Sequence, residues 1–321
     1  MHNNMRDHGI FRSSSRHQNI AYSVYAPPFG RPKAIVQISH GMCEYLGRYE
    51  EFAAFLTSQG FLVCGNDHLG HGKSVTAEEE LGYFAHEGGW KYFSEDLYQL
   101  TSLMKQNYPG IPYFMLGHSM GSFIVRDYMT RYGKELDGVI LTGTSGSNPL
   151  NDFAIILAKA IGALKGEKYR SKFIHQLSFG KYTQRYQDSK TKFDWLSRDE
   201  AIVSCYMEDK FCNFIFTAKG FEDLFCLLKD INSPKWAAKI PKELPVALLS
   251  GDMDPVGNYG EGVREVYQNL MDAGLKNLSM HLYPEARHEI LNEINRQDVY
   301  RDISDWLHTV LLPRQEKALS L

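Results

Sequence analysis

Short apolar runs, each the length of a buried strand, alternate with longer stretches whose apolar residues recur three or four positions apart. The runs are KAIVQISHG (33–41), FLVCGND (61–67), the apolar residues 113–116, DGVILTG (137–143), PVALLSG (245–251) and LSMHLY (278–283). Between them, residues 48–59 place Tyr49, Phe52, Ala53 and Leu56 on one helical face before Gly60. Residues 90–107 do the same with Phe93, Leu97, Leu100 and Met104. Further helices are predicted after Ser119 up to Gly133, over 260–273 with Gly274 behind it, and over 297–311. Residues 9–13 and 20–26, closed off by Pro27, Pro28, Gly30 and Pro32, read as an edge hairpin. The tail from Pro313 reads as frayed. Strand–helix alternation of this kind predicts an α/β fold with a mostly parallel central sheet covered by helices on both faces.

The alternation stops near Gly146 and resumes at residue 245. The residues between carry helical patterns and many aromatics but no convincing strand. The expected organisation is a core of residues 1–146 and 241–321, with a helical cap insertion at 147–240. The cap is expected over the C-terminal edge of the sheet, where such folds keep their sites.

The stretch YFMLGHSMGSFIVRDYM (113–129) forces a strand to become a helix abruptly, with Ser119 at the corner. A β-carbon at Gly117 or Gly121 would crowd that turn, and G-x-S-x-G between strand and helix reads as a nucleophile elbow. A serine hydroxyl is a weak nucleophile until a base takes its proton and a third group orients the base. In a parallel sheet these partners come from loops just after strands. His288 lies in such a loop, whereas His281 falls in a strand, His308 in a helix, and His2, His8 and His17 near the edge hairpin. GDMDPVG offers two acids. Asp254, one step further into the loop and locked by Pro255, is the better placed, and Asp252 is the alternative or a brace for the turn. Oxyanion donors are expected from the N–H of Met120 at the helix start and of Met42, which follows His40 and Gly41 after an early strand.

The charge balance narrows the partners. A net charge of -3 with no long basic block excludes nucleic acid as the main partner. The first residues lack the apolar run of a secretory signal, and no stretch approaches the ~20 apolar residues of a membrane span. Cys43, Cys64, Cys205, Cys212 and Cys226 include no C-x-x-C pair and read as reduced thiols of a cytoplasmic protein. Gly72-Lys73-Ser74 lacks the first glycine of a phosphate loop. Asp252 and Asp254 lack the register of a calcium loop. His288-Glu289 lacks the second histidine of a zinc protease, so no metal and no cofactor is expected. His118, His68 and His71 read as local hydrogen-bonding residues. DFAIILAKAIGALKGEKYRSK (152–172) begins apolar and gathers Lys159, Lys165, Lys168, Arg170 and Lys172. It reads as a helix packed on the core with solvated lysines, or as one that rests on an anionic lipid surface.

From about residue 20 to 311 the chain resembles the monoacylglycerol lipase and lysophospholipase branch of the α/β-hydrolases, the serine aminopeptidase S33-like family, in its bacterial form. The resemblance rests on HGMCEYLGRYEEFAAFL (40–56), NDHLGHGKS (66–74), GHSMG, GDMDPVGNYGEGV, YPEARHEILNE and the cap segment WLSRDEAIVSCYMEDKFCNFIFT (195–217). It implies an α/β-hydrolase fold, a Ser119–Asp254–His288 triad, and an oxyanion hole of Met42 and Met120. Tyr45 stands where many members have His, and Leu69 where they usually have Arg. The implied activity is cofactor-free cleavage of lipid carboxylic esters, with monoacylglycerols as expected substrates and the cap aromatics Phe153, Phe173, Phe179, Trp195, Phe211, Phe214, Phe216 and Phe221 available to bury an acyl chain. The rival activities are a small-ester carboxylesterase and an aminopeptidase, the latter needing acids such as Glu208 and Asp209 in the pocket.

Overall fold

The computed structural model describes residues 5–319. Eight strands form one sheet in the order β1-β2-β4-β3-β5-β6-β7-β8. They are β1 (Met5–Arg12), β2 (Asn19–Ala26), β3 (Ile35–Ser39), β4 (Leu62–Asn66), β5 (Tyr113–His118), β6 (Gly138–Thr142), β7 (Val246–Gly251) and β8 (Leu278–Tyr283). From β4 to β8 every neighbouring pair is parallel, and the β1–β2 hairpin is joined antiparallel to β4. The hairpin is longer than its hydrophobic pattern suggested. Arg6, Asp7 and His8 hide the first half of β1 from such a reading, yet its backbone pairs with β2 from Met5–Ala26 through Arg12–Asn19.

Because side chains alternate across a strand, the continuous apolar run of β5 feeds two cores. Tyr113 and Met115 point into one, and Phe114 and Leu116 into the other. The second core is closed by α1 (Glu50–Ser58), through Phe52 and Leu56, and by α9 (Arg296–Leu319), through Tyr300, Ile303 and Leu307. The first is closed by α2 (Trp90–Asn107), α3 (Met120–Tyr132) and α8 (Glu261–Asp272). The helix α9 runs through Pro313 to Leu319, where the sequence suggested fraying. A proline lacks one N–H, so the helix forfeits that bond and continues.

Between β6 and β7 come α4 (Asn151–Lys165), α5 (Lys172–Phe179), α6 (Glu200–Glu208) and α7 (Ala218–Ile231), with no strand among the described residues. Side-chain caps start three of them: Ser171 accepts from Ile174 N, Asp199 from Ala201 N, and Thr217 from Gly220 N. This segment meets loops that follow β3 and β8. Cys43 Sγ donates to Phe214 O at 3.0 Å, His288 N to Trp195 O at 3.2 Å, and Glu289 N to Leu196 O at 2.7 Å. It therefore lies over the C-terminal ends of the parallel strands.

Candidate active site

Ser119 occupies the corner between β5 and α3 with φ +52° and ψ -123°. A residue with a β-carbon at such a positive φ carries strain of about 1–3 kcal/mol, tolerated only where its neighbours enforce it. Here Ser119 N donates to Thr142 O of β6 at 2.9 Å, while Ser122 N and Phe123 N donate to Ser119 O at 2.8 and 3.2 Å. The sheet holds one side of the residue and the helix start holds the other. A β-carbon built on Gly121 would come within 2.0 Å of Ser39 O, and one on Gly117 within 2.6 Å of Gly121 O. Both obstacles are backbone, so the helix can meet the sheet this closely only without side chains there.

His288 follows β8, and its Nδ1 lies 2.9 Å from Oδ2 of Asp254, which follows β7. Asp254 is fully buried and its other oxygen accepts from Val256 N at 2.8 Å, which fixes the carboxylate. Asp252 instead accepts from Glu285 N at 2.7 Å and braces the turn. The His288 ring contacts both Trp195 and His118, at centroid distances of 5.0 and 4.7 Å. A β-carbon on Gly143 would come within 2.9 Å of its Cε1, so that glycine leaves the ring its place. Burial pushes the His288 pKa down, but the charge of Asp254 and its hydrogen bond outweigh it, and the value ends above the usual 6.5. Its neighbour His118 goes the other way, to about 4, through burial first and the adjacent His288 second. His118 is thus neutral at pH 7, and its Nδ1 lies 3.1 Å from Thr142 Oγ1.

Ser119, His288, Met42 and Met120 line one cavity of about 640 Å³. Met120 opens α3, so its N–H has no acceptor within the helix. The loop carrying Met42 passes so close that a β-carbon on Gly41 would lie 3.1 Å from Ser119 Cβ. A serine hydroxyl, an imidazole backed by a buried carboxylate, and amides at a helix start share one space. That set of groups suits nucleophilic attack on a carbonyl.

Of the cap aromatics expected at the pocket, Phe153, Phe179, Trp195 and Phe214 line the cavity. Phe216 and Phe221 pack in the core, Phe211 packs against Tyr45, and Phe173 is exposed. Residues that the sequence reading passed over complete the wall, among them Phe123, Phe193, Tyr206 and Phe225. Glu208 and Asp209 are not among the lining residues. Asp209 accepts from Tyr45 OH at 2.8 Å and from Phe211 N at 2.8 Å, so it is engaged in joining the insertion to the loop after β3.

A buried ionic cluster was also missed. Arg48 donates to both oxygens of Glu289, at 2.6 and 2.7 Å, and to Glu44 at 2.9 Å. Glu44 in turn accepts from Gly41 N and, at 2.8 Å, from Tyr49 OH. The cluster binds the loop that carries Met42 to the residue after His288. Only the spacing of Glu44 and Arg48, four apart at a helix start, hinted at it. His40, His68 and His71 form a separate buried group, with ring centroids of His40 and His68 4.3 Å apart. Burial lowers all three, His71 to about 3, and among the described residues no cluster has the make-up to hold a metal ion.

Comparisons with known proteins place the chain among lipases and esterases of similar sequence and fold. The monoacylglycerol lipase of Mycolicibacterium smegmatis is 26% identical over 293 residues, 90% of this chain and 92% of that protein. The human monoglyceride lipase is 28% identical over 291 residues, 88% of this chain and 85% of that one. The crystal structure of a thermostable carboxyl esterase from Bacillus coagulans in complex with glycerol superposes with a TM-score of 0.89 at 32% identity, covering 95% of this chain and 99% of that one. Residues 30–295 match the family described as serine aminopeptidase, S33, and the chain belongs to that family of α/β-hydrolases.

Proposed function

We propose that the protein is a serine hydrolase of lipid carboxylic esters, acting first on monoacylglycerols of medium to long chain, more weakly on lysophospholipids and least on triacylglycerols. The observation that carries this reading is the buried Asp254–His288 pair facing the same cavity as the strained Ser119. Ser119 attacks the ester carbonyl while His288 takes its proton, and Asp254 supports the imidazolium. The Met42 and Met120 amides receive the oxyanion. His288 then protonates the departing alcohol, and water repeats the sequence on the acyl-enzyme.

The cavity wall fits such a substrate. Phe153, Leu157, Leu224, Phe225 and Leu228 form an apolar side, where each buried methylene contributes about 0.8 kcal/mol. Arg48 pairs with both Glu44 and Glu289 in the wall, and the one negative charge left over disfavours an anionic head group. The names of the mycobacterial and human relatives support the same substrate class. Residues 147–240 serve as the cap in this reading, over a core of 1–146 and 241–321. The test is kcat/KM across monoacylglycerols, lysophosphatidylcholine, short p-nitrophenyl esters and aminoacyl anilides. A marked preference for acetyl esters makes the protein a small-ester carboxylesterase, and turnover of the anilides alone makes it an aminopeptidase.

Peripheral contact of the cap with a lipid surface is supported by α4, where Phe153, Ile156 and Leu164 are 58%, 65% and 85% exposed on a helix that also carries Lys159 and Lys165. No helix among the described residues is long and apolar enough to cross a membrane. Co-sedimentation with anionic but not neutral vesicles is the expected outcome, and equal recovery with either or with none removes this part of the proposal. The five cysteines are free, which fits the reducing cytoplasm as the compartment.

A further inference from the structure

Arg126 lies on α3, two turns beyond Ser119, and is completely buried. A guanidinium taken out of water needs compensation, and here every hydrogen-bond acceptor is neutral. Nη1 donates to Ser145 O at 2.7 Å; Nη2 donates to Ile231 O at 2.6 Å and to Asn232 Oδ1 at 2.8 Å. Ile231 ends α7, so the cation sits at the negative end of that helix and satisfies a carbonyl that has no partner within it. The guanidinium also lies 4.4 Å from the centre of the Trp236 ring, over its face. Burial pulls its pKa down to about 9, with Glu265 opposing, and it stays charged at neutral pH.

The positions of these acceptors matter more than their number. Ser145 stands where the chain leaves β6 for the insertion, and Ile231, Asn232 and Trp236 stand where it returns toward β7. One side chain therefore holds the outgoing and the returning crossing together, on the helix that begins beside Ser119. Ser145 and Asn232 also line the cavity, and Asn232 Nδ2 donates at 2.9 Å to the carbonyl of Leu228, a residue of its apolar side.

We infer that Arg126 is a positioning residue that locks both crossings of the insertion to α3 and thereby sets the acyl-side wall of the cavity and the chain length it accepts. The chain-length consequence rests on the lipid-ester reading, whereas the locking of the crossings does not. Two measurements separate them. Arg126→Met keeps the stem and removes charge and donors; Arg126→Lys keeps the charge but not the fork.

Hydrogen exchange followed by mass spectrometry should show residues 143–147 and 229–236 both exchanging about tenfold faster in Arg126→Met, with β5 unchanged and Arg126→Lys intermediate. With active sites counted by fluorophosphonate titration, kcat/KM for p-nitrophenyl laurate should fall about tenfold while that for the acetate stays within about twofold. Wild-type exchange at either crossing in both variants overturns the inference, and so does loss of acetate and laurate activity in equal proportion. Should Arg126→Met fail to fold, Arg126→Lys decides by the same readings. If the wild-type protein turns over no long-chain ester, the lipid reading fails, and the exchange data still decide whether Arg126 locks the crossings.

Discussion

Asp254 Oδ2 stands 2.9 Å from His288 Nδ1, with both side chains buried, although a helix and a strand separate them in the chain. The pair raises the His288 pKa above 6.5, and a base must be neutral to accept a proton. The acid limb of kcat/KM should therefore rise with pH through a value above 6.5, read on the free enzyme. The effect on stability has the opposite direction. A folded-state value above the unfolded one means that the pair's contribution is complete below pH 6.5 and is lost as pH rises through the folded value. In Asp254→Asn burial is opposed only by the weaker charges of Glu289 and Glu44, and the limb should shift to lower pH. A limb that stays in place in this variant would separate the pH dependence from the pair.

The two acids of the 252–254 turn should differ in kinetics. Asp254→Asn removes the anion that orients the imidazole, and kcat should fall by roughly 10²–10⁴-fold. Asp252→Asn keeps an oxygen that can accept from Glu285 N and removes only the charge, so it should change kcat much less. Matched kinetics on the two purified variants decide, and a larger loss from Asp252→Asn reverses the assignment.

The backbone of Ser119 makes a prediction that activity alone does not. Ser119→Ala and Ser119→Gly should both abolish fluorophosphonate labelling, but only glycine relieves the strain at φ +52°. After the greater unfolded-state freedom of glycine is subtracted, Ser119→Gly should be the more stable of the two by about 1 kcal/mol. Urea unfolding of both proteins tests this, and a lower midpoint for Ser119→Gly than for Ser119→Ala would mean that the corner is not strained.

What was legible in the sequence follows from how each feature is encoded. The parallel strands were legible because burial on both faces makes each a continuous apolar run, as at residues 113–116. Ser119, Asp254 and His288 could be grouped because each follows a strand, and a parallel sheet gathers such positions along one edge. The first half of β1 was hidden because an edge hairpin is held by backbone pairing, which polar side chains permit. Arg126 was hidden because its partners are mostly carbonyl groups, which any residue supplies. The bond from Tyr45 to Asp209 and that from Arg48 to Glu289 join positions 164 and 241 apart, and no local periodicity records such pairs.

The Arg48–Glu289 pair yields the last prediction. Burial alone would raise the Glu289 pKa, but the charge and hydrogen bonds of Arg48 hold it down to about 2. Its contribution to stability is therefore complete above pH 4.5 and is lost as pH falls through about 2. Arg48→Met leaves Glu44 and Glu289 buried without their cation and should destabilise the protein by about 3–5 kcal/mol near neutral pH. In that variant Glu289 is pushed up by burial, so its folded form gains a proton more readily than the unfolded chain does. Lowering the pH toward 4.5 should then narrow the gap between variant and wild type. Urea unfolding at pH 7.5 and pH 5 measures the two gaps. Equal gaps would mean that Arg48 acts through its guanidinium's contact with the Tyr206 ring, 5.0 Å from the ring centre, and not through its pairing with the two carboxylates. A narrowing gap identifies the charge as what holds the loop carrying Met42 against the residue that follows His288.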